Sequence, residues 1–257
     1  MEFNVLTLFP EMFVSPLQAS IMKKAQEKEF IRVLVHDIRD YASGRHKVAD
    51  DYSYGGGGGM VMKVEPIVRA LETIQPQGEK ARVVLLNPQG QLFNQGKAKE
   101  LAQLNRLILI CGHYEGVDER VSLHYVDEEI SVGDYVLTGG ELPAMVLIDA
   151  VARLIPQVVG CNCSVEADSF YHSSLDYPHY TRPFSFRGVK VPDILLSGNH
   201  QAIRRWRRKE SLKRTWQRRP ELLRKDQLSL EDKILLWEIR EDLEEGNCAS
   251  LSNYLII

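Results

Sequence analysis

The chain has 257 residues, 44% of them apolar and 26% charged, which are ordinary proportions for a globular protein with room for one large or two modest cores. No apolar stretch approaches the length of a membrane span, and Met1-Glu2-Phe3-Asn4 lacks the basic start and apolar run of a signal peptide, so a cytoplasmic protein with no membrane partner is expected. The net charge of −3 excludes little, and four cysteines (Cys111, Cys161, Cys163, Cys248) are too few to staple a chain of this length.

Phe3–Phe9 and Ile31–Val35 are short runs rich in β-formers, and Leu17, Ile21 and Ala25 recur between them at helical spacing, a β-α-β opening. Asp37–Asp51 is polar and mixed in charge and runs into the glycines 55–59, which predicts a long mobile loop. Glu65–Ile74 reads as a helix and Arg82–Leu86 as a buried strand ending at Asn87-Pro88-Gln89-Gly90. A helix follows around Gly96–Leu104, then a strand over 107–111. Glu141–Ile155 is a helix apolar almost all round. Strands alternating with helices predict a mostly parallel α/β domain over residues 1–160. After Pro156 the pattern stops, and 161–181 suits an interdomain linker. Residues 182–257 read as a small all-α domain, in which Ala202, Ile203 and Trp206 line one side of a helix and Ser229-Leu230-Glu231-Asp232 starts another.

Two glycine turns carry the functional signal. Cys111-Gly112-His113-Tyr114-Glu115-Gly116 follows the apolar run Leu107–Ile110, and Gly133–Gly140 follows shortly after. Glycine at the end of a buried strand lets main chain approach a ligand closely, and ligands of open α/β sheets sit beyond the carboxyl ends of the strands. With Asn87-Pro88 ending a third strand, these turns predict a cofactor pocket built mainly from backbone. The run Gly55–Gly59 matches neither a phosphate-loop nor a dinucleotide-binding pattern. Cys161-Asn162-Cys163, near His172 and His179, lacks a second cysteine pair, so free thiols are expected rather than a metal centre. Residues 201–225 carry eleven Lys/Arg against Glu210 and Glu221, a net +9 that leaves −12 for the remainder, and this segregation predicts a polyanion partner. Asp168, in Glu166-Ala167-Asp168-Ser169-Phe170, reads locally as a turn cap and Arg153 as a surface ion-pair residue.

Taken together, several segments resemble the bacterial tRNA (guanine-N1)-methyltransferases of TrmD type. They include Leu8-Phe9-Pro10-Glu11-Met12-Phe13, Asp51–Met60, Pro88-Gln89-Gly90, Cys111–Arg120, Gly133–Pro143, Asp168-Ser169-Phe170, Leu175–Pro183, Leu195–His200 and Arg204-Arg205-Trp206-Arg207. Gly58 stands where proline is common in that family. The resemblance implies an α/β domain of the knotted SPOUT type with a deep trefoil knot, an obligate homodimer with shared active sites, and a helical tRNA-binding domain. It implies methyl transfer from S-adenosyl-methionine to N1 of the guanine 3′ of the anticodon, position 37, when another guanine precedes it. Family positions for the donor match Leu86, Asn87, Pro88, Gly112, Tyr114, Glu115, Gly116, Val132, Gly133, Asp134, Tyr135, Val136, Leu137, Gly139, Gly140 and Pro143. The resemblance also implies Asp168 as the base, Arg153 as the charge stabiliser, and tRNA contacts from Glu115, Arg204, Arg205, Arg207 and Arg208. Magnesium (Mg2+) belongs to the family chemistry, although no dedicated cage is visible. From the residues alone two rivals stay open, a ribosomal-RNA methyltransferase of the same class and a non-catalytic RNA-binding module.

Overall fold

The computed structural model describes residues 1–75, 81–160, 168–224 and 228–245. Cys161, Cys163, Cys248 and much of the expected linker lie outside them. The chain divides into two compact units, Met1–Val165 and Glu166–Ile257.

The first unit is built on a five-stranded parallel sheet in the order β2-β1-β6-β5-β7, formed by β1 (Glu2–Thr7), β2 (Arg32–Asp37), β5 (Arg82–Leu92), β6 (Arg106–Cys111) and β7 (Glu128–Ser131). Both faces of such a sheet must be covered, so its strands read as apolar runs whose successive side chains enter opposite cores. Phe3, Val5, Val84, Leu86, Leu107, Leu109 and Ile130 pack on one side with Ala144, Leu147, Ile148 and Val151 of α6 (Glu141–Ala152). Leu6, Val83, Leu85, Ile108 and Ile110 pack on the other with Ile67, Ala70, Leu71 and Ile74 of α3 (Val64–Ile74).

Several expectations need correction in detail. The opening helix is two pieces, α1 (Val14–Leu17) and α2 (Ser20–Glu27), because Ser20 adopts φ +49 and breaks the register; Met22 and Ala25 are buried while Ile21 is exposed. The expected mobile loop is partly ordered. A 3-10 turn covers Ile38–Tyr41, and β3 (Asp50–Tyr52) pairs antiparallel with β4 (Met60–Met62), enclosing the glycine run. Strand β5 runs past Leu86 to Leu92, with a register shift between Leu86 and Gln91. Gly90 makes this continuation fit, since a Cβ there would collide with the backbone of Glu129 and Ile130. Helix α4 spans Gln95–Leu101, where a helix was expected around Gly96–Leu104, while α5 (Glu119–Tyr125) and β7 after it are elements the sequence pattern did not announce.

In the second unit, β8 (Ser185–Phe186) and β9 (Val189–Lys190) form a small hairpin before α7 (His200–Arg218) and α8 (Leu230–Glu245). The helices pack through Leu212 and Trp216 against Leu235, Leu236 and Ile239. The buried face of α7 thus lies one turn or more beyond Ala202, Ile203 and Trp206, which are only partly covered. The predicted start of α8 is a reciprocal cap: Ser229 N–H donates to Asp232 Oδ2 (3.1 Å) and Asp232 N–H to Ser229 Oγ (3.1 Å). Among the described residues no helix is long and apolar enough to cross a membrane.

Candidate active site and nucleic-acid interface

Strands β6, β5 and β7 are neighbours in the sheet, and all three end on the same edge. Their turns meet there in a cleft of about 260 Å³. It is lined by Leu86–Pro88, by Gly112–Gly116, by Ile130–Gly133 with Tyr135–Gly140, and by Pro143. Of the donor positions the resemblance supplied, the cleft gathers all but Asp134, whose side chain is exposed. It adds His113, Ile130, Ser131 and Thr138.

Main chain holds the turns together. Gly140 N–H donates to Gly112 C=O at 2.7 Å, and His113 and Gly139 form an antiparallel bridge. A Cβ on Gly140 would sit 2.7 Å from Cys111 Cα and 2.9 Å from Gly112 N, so only glycine permits this approach. Tyr114 takes φ +60, a conformation that side chains usually avoid, and Gly116 N–H closes the turn onto His113 C=O (3.1 Å). The β3–β4 hairpin braces the same turn: Glu115 N–H donates to Met60 C=O (3.0 Å) and Met62 N–H to Gly116 C=O (2.9 Å). Gly59 leaves the space that the Glu115 side chain occupies.

The lining contains no Lys or Arg; its one carboxylate is Glu115. Such a wall offers a phosphate no cationic side chain. Apolar Leu86, Pro88, Leu137 and Pro143 with glycine edges instead suit a flat base carried by a ligand of neutral or positive charge. S-adenosyl-methionine, a nucleoside bearing a sulfonium, fits that description. Among the described residues no group of three or more His, Cys, Asp or Glu is placed to hold a metal ion.

The second unit carries Asp168, partly buried, whose C=O accepts from Tyr171 N–H (3.3 Å). It lines a cleft of about 290 Å³ with His172, Asp176, Tyr177, Arg204, Arg207 and Arg208, among others. Arg207 stacks over the Tyr177 ring, 4.9 Å from its centroid. The four arginines singled out from the sequence are not equivalent. Arg205 pairs with Glu238, and Arg208 Nε donates to Asp232 Oδ1 at 2.6 Å, while Lys209 reaches Asp242 at 2.8 Å. These contacts clamp α7 to α8. Burial pushes the Asp232 carboxyl upward, but its bonds to the Arg208 guanidinium and to Ser229 more than offset this and leave it below the ordinary value. Arg204 and Arg207 remain exposed along the cleft. Arg153, in the first unit, is exposed at the C-terminal end of α6.

A parallel α/β unit with a cleft of main-chain turns at its strand ends, followed by a basic helical unit, is the architecture of a ligand-binding α/β protein that also carries a polyanion-binding surface. The chain is similar to proteins called tRNA (guanine-N(1)-)-methyltransferase in several bacteria. It is 58% identical over 241 residues to that of Moorella thermoacetica (93% of this chain, 96% of the relative). The Dictyoglomus turgidum protein is 54% identical over 245 residues (95% and 99%), and the Carboxydothermus hydrogenoformans protein 57% over 238 (93% of each). The family model tRNA (Guanine-1)-methyltransferase TrmD matches residues 1–225, and the chain belongs to that family.

Two outcomes are expected. Gly140→Ala should destabilise the first unit by about 1–3 kcal/mol in urea unfolding, because the added methyl meets the Cys111–Gly112 backbone; a variant as stable as the parent contradicts this packing. Arg208→Ala should cost the helical unit about 2 kcal/mol by stranding Asp232, whereas Arg204→Ala should leave its unfolding midpoint unchanged. Equal behaviour of the two variants in thermal melts would show that the α7–α8 clamp is misassigned.

Proposed function

We propose that this protein transfers the methyl group of S-adenosyl-methionine to N1 of the guanine 3′ of the anticodon, position 37, in tRNAs with a guanine before it. The observation that carries the donor is the cleft of glycine turns with no basic side chain in its lining. The acceptor and its position rest on the family and on the segments quoted from the sequence.

When bound, S-adenosyl-methionine supplies an electrophilic methyl group and leaves as a neutral thioether. The protein's part lies on the guanine. N1 carries a proton at neutral pH and becomes nucleophilic once it is lost, so a carboxylate is needed, and Asp168 takes that proton. The negative charge thrown onto O6 calls for a fixed cation, which Arg153 supplies as a donor. Glu115, pinned through its backbone to Met60, reads the preceding guanine. Arg204 and Arg207 contact the tRNA backbone, with Arg207 held in place by the Tyr177 ring. Arg205 and Arg208 take part chiefly by holding α7 on α8. Magnesium, where the reaction uses it, acts through the RNA or through a lone carboxylate.

The trefoil knot belongs to this reading. It rests on the family, and the close approach of Gly140 to Gly112 accords with it. A homodimer belongs to the reading as well, for which Leu142 and Val146 of α6, with Met12 and Val14 nearby in the chain's opening segment, offer exposed apolar side chains. The reading places the protein in the cytoplasm with its tRNA.

Asp168→Asn should retain binding of tRNA and donor while turnover falls by at least a thousandfold, measured by mass mapping of methylated tRNA in single-turnover reactions. A variant keeping most of the parental rate removes Asp168 from the mechanism. Methyl groups found on ribosomal RNA but not on tRNA would replace the acceptor. Arg204→Ala and Arg207→Ala together should weaken tRNA binding and flatten its salt dependence by about one to two ions, and an unchanged slope would take them out of the interface.

A further inference from the structure

One buried acidic side chain in the first unit has no part in the chemistry above. Glu141, the first residue of α6, is 1% exposed. A carboxylate gains from a helix N-terminus, yet an exposed side chain would serve that purpose without the cost of burial. Its compensation here is thin. Oε1 accepts one bond from the Thr7 hydroxyl, at 2.7 Å. Oε2 faces Nδ1 of His113 at 3.8 Å, beyond hydrogen-bond distance, and that Nδ1 is a buried atom without a partner.

Between this side chain and the donor cleft stand lining residues that adjoin it, His113 and Gly139. A Cβ on Gly139 would run into both the Glu141 carboxylate and the His113 ring. Glu141 itself is not part of the lining, so it acts from behind the wall. Its field is felt nearby: the Cys111 thiol, fully buried, is pushed well up by burial and then by the Glu141 charge. His113 and Cys111 are the titratable side chains facing it, and the lining holds no Lys or Arg to screen it.

We propose that Glu141 is a specificity residue that gives the cleft its preference for a cationic ligand, favouring the sulfonium of the methyl donor over the neutral thioether product. This rests on the donor assigned above. The attraction is present while the ligand carries its positive charge and is lost once the methyl group has gone, so the same carboxylate that helps fill the site with donor does nothing to retain the product.

The test is calorimetric titration of the full-length protein with S-adenosyl-methionine and with S-adenosyl-homocysteine, for the parent, Glu141→Gln and Glu141→Asp. Glutamine keeps the shape and the Thr7 contact while removing the charge. Across this wall, in a medium of intermediate dielectric, a unit charge corresponds to about tenfold in affinity. Glu141→Gln should therefore weaken the methionine compound about tenfold and the homocysteine compound less than about twofold. Glu141→Asp, which keeps the charge but draws it back, should fall between parent and glutamine; it carries the test alone if Glu141→Gln does not fold. Equal losses for the two ligands would make Glu141 a structural residue and overturn the proposal, as would unchanged affinities for both. Failure of the parent to bind either compound would instead overturn the donor assignment, and this inference with it.

Discussion

Everything at the strand ends depends on one contact, the approach of Gly140 to Gly112 through a 2.7 Å amide-to-carbonyl bond with no room for a side chain. It joins the turn after β6 to the segment after β7 and so brings residues 86–88, 112–116 and 130–140 around one space. The β3–β4 hairpin then locks the outer side of the same turn through Met60 and Met62. A cleft made this way takes its shape from backbone contacts rather than from side-chain rotamers. Behind its Gly139 wall lies the buried Glu141 side chain.

The helical unit shows the opposite economy. Its sequence is crowded with positive charge, but a good part of that charge is spent internally. Arg205, Arg208 and Lys209 face Glu238, Asp232 and Asp242 of the neighbouring helix. Counting basic residues therefore overstates the surface offered to a polyanion. Arg204 and Arg207, beside Asp168 and Tyr177, form the part of α7 turned toward a cleft rather than toward α8.

Much of the first unit was legible because a two-sided parallel sheet writes itself as apolar runs; β1, β2, β5 and β6 all fall where such runs occur. Strand β7 escaped notice for a physical reason. Its Glu128 and Glu129 look like loop residues, yet Glu128 is ion-paired with Lys97 at 2.9 Å and Glu129 is hydrogen-bonded by Asn87 and Ser122, so both acids have partners beside the sheet. The segment 37–59 looked mobile from polarity alone, whereas pairing of β3 with β4 and their bonds to the turn at 113–118 order its ends. The glycine turns pointed to a cleft but not to His113 or Glu141, since a buried histidine and a helix-opening glutamate carry no local signature. The positions of Glu141 directly after Gly139-Gly140 and of His113 directly after Gly112 were the available hint. Asp168 and Arg153 have no distinguishing local pattern at all, and their roles come from family resemblance.

Hydrogen exchange of the full-length protein, with and without saturating S-adenosyl-homocysteine, tests most directly whether the cleft of main-chain turns is the donor site. The account predicts that amides of residues 112–116 and 131–140 slow by at least about tenfold on binding, as expected when a ligand fills a site walled by backbone. Bound ligand that leaves those amides unchanged, or that protects a different part of the sheet, would contradict it.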